Sequence, residues 1–380
     1  MQYAISFLAD NVLVDFLNQN KSSLSEDQRQ SIQAMFLCHD PSQGYTTFQC
    51  PNCLELKVIH HSCNSRLCPS CGRRLTEEWA NRISRRLLHC NHRHVVFTLP
   101  DEIWALMLKD RRLIGIASKE ILATVCSVFE TFLNNIKILP GIVAVLHTFG
   151  EDLKFNVHFH CMVTCGGLND DGDWIDINYF PYMALRKVWQ YHVLTAIKAA
   201  IPKSCENSRF IHKMFTDHPN GFYVRAKDTV KNDRGLLLYI ARYVRHPAIA
   251  QSRIQSFDGK TVVFSCKKHE DREARLITMG VQEFLTALVR HIPPKGYQLV
   301  KHVGLYANKS RKRYASVISN FQKTRKIIQR KLFSRAIRCE KCKIPMEMLM
   351  ICAPTDPPIH LLLSSYENQT RLLLVPNLRR

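Results

Sequence analysis

The chain has 380 residues, 46% hydrophobic and 22% charged, a globular balance with room for two or three domains and at least one substantial core. Lysine and arginine outnumber aspartate and glutamate by 53 to 32, a formal charge of +21 that seeks a polyanion, so nucleic acid is the first partner to expect. No apolar run is long enough to span a bilayer and Met1-Gln2-Tyr3-Ala4-Ile5 lacks the basic start of a secretory signal, so the expectation is an intracellular protein, no membrane partner, and fifteen cysteines kept as thiols.

Residues 1 to about 45 read as two helices, with apolar residues at helical spacing around Val12 and Phe16 and again around Ile32 and Met35, and with Ser25 as the cap of the second. Cys50-Pro51-Asn52-Cys53, then Cys63, then Cys68-Pro69-Ser70-Cys71 follow. Two Cys-x-x-Cys turns place four thiolates at tetrahedral reach, so Cys50, Cys53, Cys68 and Cys71 are expected to hold one structural zinc, with Cys63 and Cys38 as replacements or occupants of a second, incomplete site. Four thiolates leave no open position, which argues against a catalytic zinc there. Arg66, Arg73 and Arg74 nearby suggest backbone phosphate contact or a solvated face.

Trp79 to Leu88 reads as a basic amphipathic helix, 93–100 as a strand stopped by Pro100, 104–137 as helix and 142–149 as a second strand. Gly150-Glu151-Asp152 then turns the chain into Asn156-Val157-His158-Phe159-His160-Cys161-Met162, whose period of two puts His158 and His160 on one face. Two imidazoles there can hold a divalent ion, although a His-x-His on an apolar strand is by itself more often packing. If the hairpin turn centres between Asp152 and Leu153, His147 lies opposite His158, either a third ligand or a packed strand residue, with Glu151 the runner-up ligand.

Residues 166–173 form a polar turn, 183–201 a helix and 222–226 a short strand. Leu236-Leu237-Leu238 then runs into Tyr239-Ile240-Ala241-Arg242-Tyr243, where an i,i+4 spacing stacks two phenols on one side of a helix. A tyrosine oxygen can attack a phosphodiester and keep the phosphate as an ester, with Arg242 and Arg245 steadying the phosphate or contacting backbone. Beyond a strand at 261–265 and a helix at 281–291, not one acidic residue occurs between Glu283 and Glu340. Ordinary solvated faces mix signs, so the run containing Lys309, Arg311, Lys312, Arg313, Lys323, Arg325 and Lys326, with Tyr297, Tyr306, Tyr314 and Phe321 interspersed, is expected to be the main DNA surface. Cys339-Glu340-Lys341-Cys342, with Cys352 and His360 downstream, is either a second zinc turn or an unpaired one.

Together these stretches resemble rolling-circle transposases of bacterial insertion sequences, the two-tyrosine branch of the HUH endonucleases of the insertion-sequence-91 type. The resemblance rests on Ser62-Cys63-Asn64-Ser65-Arg66-Leu67-Cys68-Pro69-Ser70-Cys71, His94-Val95-Val96-Phe97-Thr98-Leu99-Pro100, His147-Thr148-Phe149-Gly150, the His158/His160 strand, Tyr239 to Tyr243, and Arg290-His291-Ile292-Pro293-Pro294-Lys295-Gly296-Tyr297, in that order. It implies an α+β fold: an antiparallel HUH sheet flanked by helices, an N-terminal zinc-binding module and a basic C-terminal region. The implied division is 1–90, 91–255 and 256–380. It also implies Mg2+ or Mn2+ on His158 and His160, Tyr239 and Tyr243 as nucleophiles, single-stranded ends of the element as substrate, the host replication machinery as an indirect partner, and a cytoplasmic, nucleoid-associated location. Leu54 stands where a glycine is common after the first cysteine turn. The rivals are a replication initiator or relaxase using the same site, and a zinc-dependent DNA-binding protein with no chemistry.

Overall fold

The structure, a computed structural model, describes residues 10–226 apart from 66–67, 69–70, 72–75, 77, 81, 84–85 and 89, together with 248–267, 273–293, 296–315 and 337–353. Its residues form two compact units, neither continuous in sequence: Met1–Gln33 with Asn64–Phe333, and Ala34–Cys63 with Ser334–Arg380. These are not the three successive segments expected, because a strand near each end of the chain pairs into one sheet.

The larger unit begins with α1 (Asp10–Gln19) and the first part of α2 (Glu26–Phe36), a helix whose last turn falls in the smaller unit. Ser25 caps α2 as expected: its hydroxyl accepts from Gln28 N–H at 3.3 Å, and Gln28 Oε1 accepts from Ser25 N–H at 2.9 Å, a reciprocal capping box. The main sheet contains β3 (His92–Thr98), β4 (Leu139–Phe149), β5 (Phe155–Leu168), β6 (Trp174–Asp176), β7 (Val224–Ala226) and β11 (Val300–Gly304). Its order is β11-β4-β5-β3-β7, with β6 on β5, and every pairing is antiparallel.

Alternation along the strands divides the sheet into two faces. One presents Val95, Phe97, Ile142, Ala144, Val157, Phe159, Cys161 and Val163 to α3 (Asp101–Lys109), α4 (Arg112–Phe132) and α5 (Tyr182–Ala200), forming the main core. Helical spacing of Leu113, Ile114, Ala117, Ile121, Val125 and Val128 gives α4 the apolar stripe that packs there. Trp189 of α5 sits under the histidine strand, 5.1 Å from the Phe97 ring and 6.2 Å from Phe159, its indole N–H donating to Thr98 O at 2.8 Å. The expected helix over 104–137 is two helices, because the Asp110 carboxylate accepts from Arg112 N–H at 3.0 Å and starts a new one.

Against the other face lie Trp79, Ala80, Ile83, Leu87 and Leu88 with Leu305 and Tyr306, packed on Val143, Val145, Met162 and Leu168. Gly304, at φ 61°, permits a close approach there: a Cβ would collide with the Pro140 carbonyl. Also described in this unit are α6 (Cys205–Asp217), a second antiparallel sheet of β8 (Ile254–Phe257), β9 (Thr261–Cys266) and β10 (Arg275–Gly280), then α7 (Val281–Val289) and α8 (Asn308–Arg313).

The smaller unit is a three-stranded antiparallel sheet of β1 (Tyr45–Gln49), β2 (Leu56–His60) and β12 (Glu347–Cys352), in the order β12-β1-β2. Register runs Tyr45↔Cys352 to Gln49↔Glu347, with an irregularity at Thr47/Phe48.

Candidate metal centre and thiol site

His147 stands directly opposite His158 as expected, although the turn itself centres on Asp152, with Phe149 opposite Phe155, and an irregularity between His147 and Phe149 shifts the register by one residue. Opposed residues of an antiparallel ladder point to one face, and His160 follows His158 by two, so all three imidazoles converge. One ring nitrogen from each lies within 4.8 Å of the other two. The ring centroids are 5.3 Å apart for His147 and His158, 5.1 Å for His147 and His160, and 5.0 Å for His158 and His160, each pair meeting edge to face.

Hydrogen bonds orient two of these rings. His158 Nδ1–H donates to the Asn156 carbonyl at 3.0 Å, which fixes the tautomer and leaves Nε2 with its lone pair. Burial pushes His158 down to about 4 against that opposing bond, so it is neutral at physiological pH, the form a metal ligand must have. His160 is held by a residue that sequence reasoning passed over. His94 on β3 stacks on it at 5.2 Å with an interplanar angle of 5°, and His94 Nε2 shares a 3.0 Å hydrogen bond with His160 Nδ1. The signal was present as a second His-x-His, His92-Arg93-His94, at the start of a strand. His92 bonds the Tyr306 hydroxyl at 2.6 Å.

The hairpin turn is fastened from α7's end. His291 Nε2–H donates to Leu153 O at 3.0 Å, and its Nδ1 accepts from the Thr148 hydroxyl at 3.3 Å. Glu151, the runner-up ligand, is drawn elsewhere: its carboxylate pairs with Arg253 at 3.1 Å.

The structure groups the cysteines differently from expectation. Cys50, Cys53, Cys339 and Cys342 each bring a sulfur within 4.8 Å of the others, so Cys50 and Cys53 do not share their set with Cys68 and Cys71. The cause is the β1–β12 ladder, which brings the cysteine turn after β1 beside the one before β12. Cys68 and Cys71 are buried, and Cys63 donates its N–H to Cys38 Sγ at 3.5 Å. N–H groups of Cys53 and Asn52, working against desolvation, push the Cys50 thiol down to about 7.

Of the expected DNA-contacting residues, Lys309, Arg311, Lys312 and Arg313 lie on α8, with the side chains of Lys309, Lys312 and Arg313 exposed and Arg313 5.4 Å over the Tyr314 ring. Lys301 of the same basic run turns inward instead, donating to Gly115 O at 3.3 Å and to the Ser118 hydroxyl. Tyr239, Tyr243, Arg242, Arg245, Lys323, Arg325 and Lys326 lie outside the described residues, as does His360.

Comparison with known proteins adds two domain matches. A family model described as "Putative transposase" covers residues 141–313, which include the histidine hairpin, and one described as "Transposase zinc-binding domain" covers residues 8–99. The chain is 28% identical over 305 residues to a transposase for insertion sequence element IS801 from Pseudomonas savastanoi pv. phaseolicola, spanning 76% of this chain and 72% of that protein. It is 27% identical over 311 residues to a putative transposase, y4qJ, from Sinorhizobium fredii (strain NBRC 101917 / NGR234), spanning 76% and 77%. No solved structure matches it. The zinc-binding domain and the thiol grouping together support structural zinc. Among the described residues no helix is long and apolar enough to cross a membrane.

Proposed function

We propose that this chain, which matches a transposase zinc-binding domain and a putative transposase domain, is a transposase of the insertion-sequence-91 type that nicks and rejoins single-stranded DNA at the ends of its own element in rolling-circle transposition, using metal-assisted tyrosine chemistry on an HUH core. The observation that carries this is the convergence of His147, His158 and His160 on one face of an antiparallel sheet inside the transposase match.

The donors fit a divalent ion. Three imidazole nitrogens meet, one tautomer is fixed by a backbone carbonyl, and burial keeps His158 unprotonated. An ion on Nε2 of His160 leaves Nδ1–H to donate to His94, which then acts as the positioning residue. A wholly nitrogen set suits Mn2+ better than the harder Mg2+, so Mn2+ is the preferred ion of the two. When bound, the ion supplies Lewis-acid polarisation of the scissile phosphate.

The remaining work belongs to the chain. The phenol of Tyr239 or Tyr243, with an ordinary pKa near 10, gives up its proton as its oxygen attacks phosphorus. The P–O bond to the 3′ oxygen breaks, that oxygen takes up a proton, and the products are a 5′-phosphotyrosine and a free 3′-hydroxyl. Bond energy stays in the ester, so a later hydroxyl reverses the step without a nucleotide cofactor. Two tyrosines allow two strand ends to be held in turn. Arg242 and Arg245, with exposed cations of α8 such as Lys309 and Lys312, contact the phosphate backbone.

A labelled single-stranded oligonucleotide from the element's ends, incubated with and without Mn2+, tests the reading. Ion-dependent cleavage with label retained on the protein is expected. Binding without cleavage in either condition would leave a zinc-dependent DNA-binding protein.

A further inference from the structure

Independently of the strand-nicking reading, the smaller unit contains a site that lies only half inside the zinc-binding match. That match ends at residue 99, whereas two of the four converging sulfurs belong to Cys339 and Cys342. We infer that Cys50, Cys53, Cys339 and Cys342 hold one zinc ion that clasps residues 337–353 onto residues 34–63, so that this part of the zinc-binding module is completed by the far end of the chain.

Both cysteine pairs adopt the same backbone turn. Leu54 N–H donates to Cys50 O at 3.0 Å, and Lys343 N–H donates to Cys339 O at 2.9 Å. Cys50 N–H donates to Glu55 O at 2.9 Å, and Cys339 N–H to Ile344 O at 3.0 Å. Leu54 and Lys343, each directly after a second cysteine, stand at φ 59° and 60°, a conformation that residues with a Cβ seldom adopt. Two turns strained alike at equivalent positions, facing each other, mark a shared ligand rather than two separate surface loops.

The sulfurs are prepared for one ion. Cys53 Sγ lies 3.5 Å from Cys339 Sγ, Asn52 Nδ2 donates to Cys342 Sγ at 3.3 Å, and Cys342 N–H points at Cys339 Sγ at 3.4 Å. Four thiolates select zinc over a hard cation and fill its tetrahedron, so the site is structural. Reciprocal ion pairs flank it: Lys57 with Glu340 at 2.8 Å, and Lys341 with Glu55 at 2.5 Å, each joining one turn's segment to the other. Packing around it is small. Cys50, Cys339 and Met346 are its buried members, with Phe48, Ile337, Cys342 and Ile344 partly buried beside them. A cluster of that size holds little by itself, which is the circumstance in which metal binding and folding become one event.

The test uses the full-length chain. Cys339→Ser and Cys342→Ser are each expected to lose one equivalent of zinc relative to wild type, the same loss as Cys50→Ser and Cys53→Ser, and to weaken the thiolate-to-cobalt charge-transfer band after Co2+ substitution. Unchanged zinc and an unchanged cobalt spectrum in the two C-terminal variants, beside losses in the N-terminal two, would overturn the proposal. Should a variant fail to fold, wild-type protein decides the matter. Hydrogen–deuterium exchange is followed by peptide before and after zinc is stripped with a chelator. Residues 34–63 and 337–353 are expected to lose protection together as zinc leaves and to regain it together when zinc is restored. Protection of 337–353 that does not change with zinc would contradict it.

Discussion

His147, His158 and His160 meet within one β-hairpin, whereas Cys53 and Cys339, whose sulfurs touch at 3.5 Å, stand 286 residues apart in the chain. The first site needs only local chain: a tight turn and the irregularity between His147 and Phe149 pair β4 with β5, and the period of the strands delivers three imidazoles to one face. The second needs a ladder between strands near opposite ends of the chain, and closing so long a loop costs entropy that the partly buried β1–β12 contacts recover only in part. A site made by local register is set by its hairpin; a site made by distant pairing draws its stability from whatever it binds. Metal removal should therefore spare the histidine hairpin and loosen the thiol module.

Several substitutions sharpen that contrast. The largest effect is expected from His158→Ala combined with His160→Ala, which should lower Mn2+-dependent cleavage by on the order of 10³-fold or more while leaving the far-ultraviolet circular dichroism in place. Trp189→Ala, which removes the ring beneath the histidine strand, should destabilise the protein by about 3–5 kcal/mol, read as a lowered urea midpoint. His94→Phe keeps a stacked ring but removes the hydrogen bond to His160, and should weaken Mn2+ binding by about 10–100-fold in an electron paramagnetic resonance titration, with stability little changed.

The smallest effect is expected at the Asp258 turn between β8 and β9. N–H groups of Thr261 and Lys260 and the Thr261 hydroxyl hold the Asp258 carboxyl down at about 2. Its stabilisation is fully present above the ordinary aspartate pKa of about 3.9 and is lost as the pH falls through about 2. Thermal midpoints of wild type and Asp258→Ala should therefore differ slightly at neutral pH and converge as the solution approaches pH 2.

Local features were legible in the sequence where one element decides them. Ser25 followed by Gln28 forms the cap it spells, and His147 faces His158 as expected, although the irregularity between His147 and Phe149 that brings them opposite was not legible. His94 was missed because its partner is diagonal, on the neighbouring strand, and β3's placement beside β5 is not written in the β3 sequence. The thiol sets were misassigned because Cys50/Cys53 and Cys68/Cys71 are neighbours in sequence, whereas sheet pairing makes Cys339 and Cys342 the neighbours in space. Glu151 and Lys301 show the same limit. A carboxylate beside the hairpin turn meets Arg253, and a lysine in a basic run reaches the α4 carbonyl of Gly115, through contacts with residues far along the chain.

The most direct measurement is mass spectrometry of the protein after incubation with a single-stranded end of the element and Mn2+. The account predicts a nucleotide ester on Tyr239 or Tyr243 that disappears when His158 and His160 are both replaced by alanine. An adduct of undiminished yield in that histidine variant, or one that survives replacement of both tyrosines by phenylalanine, would contradict it.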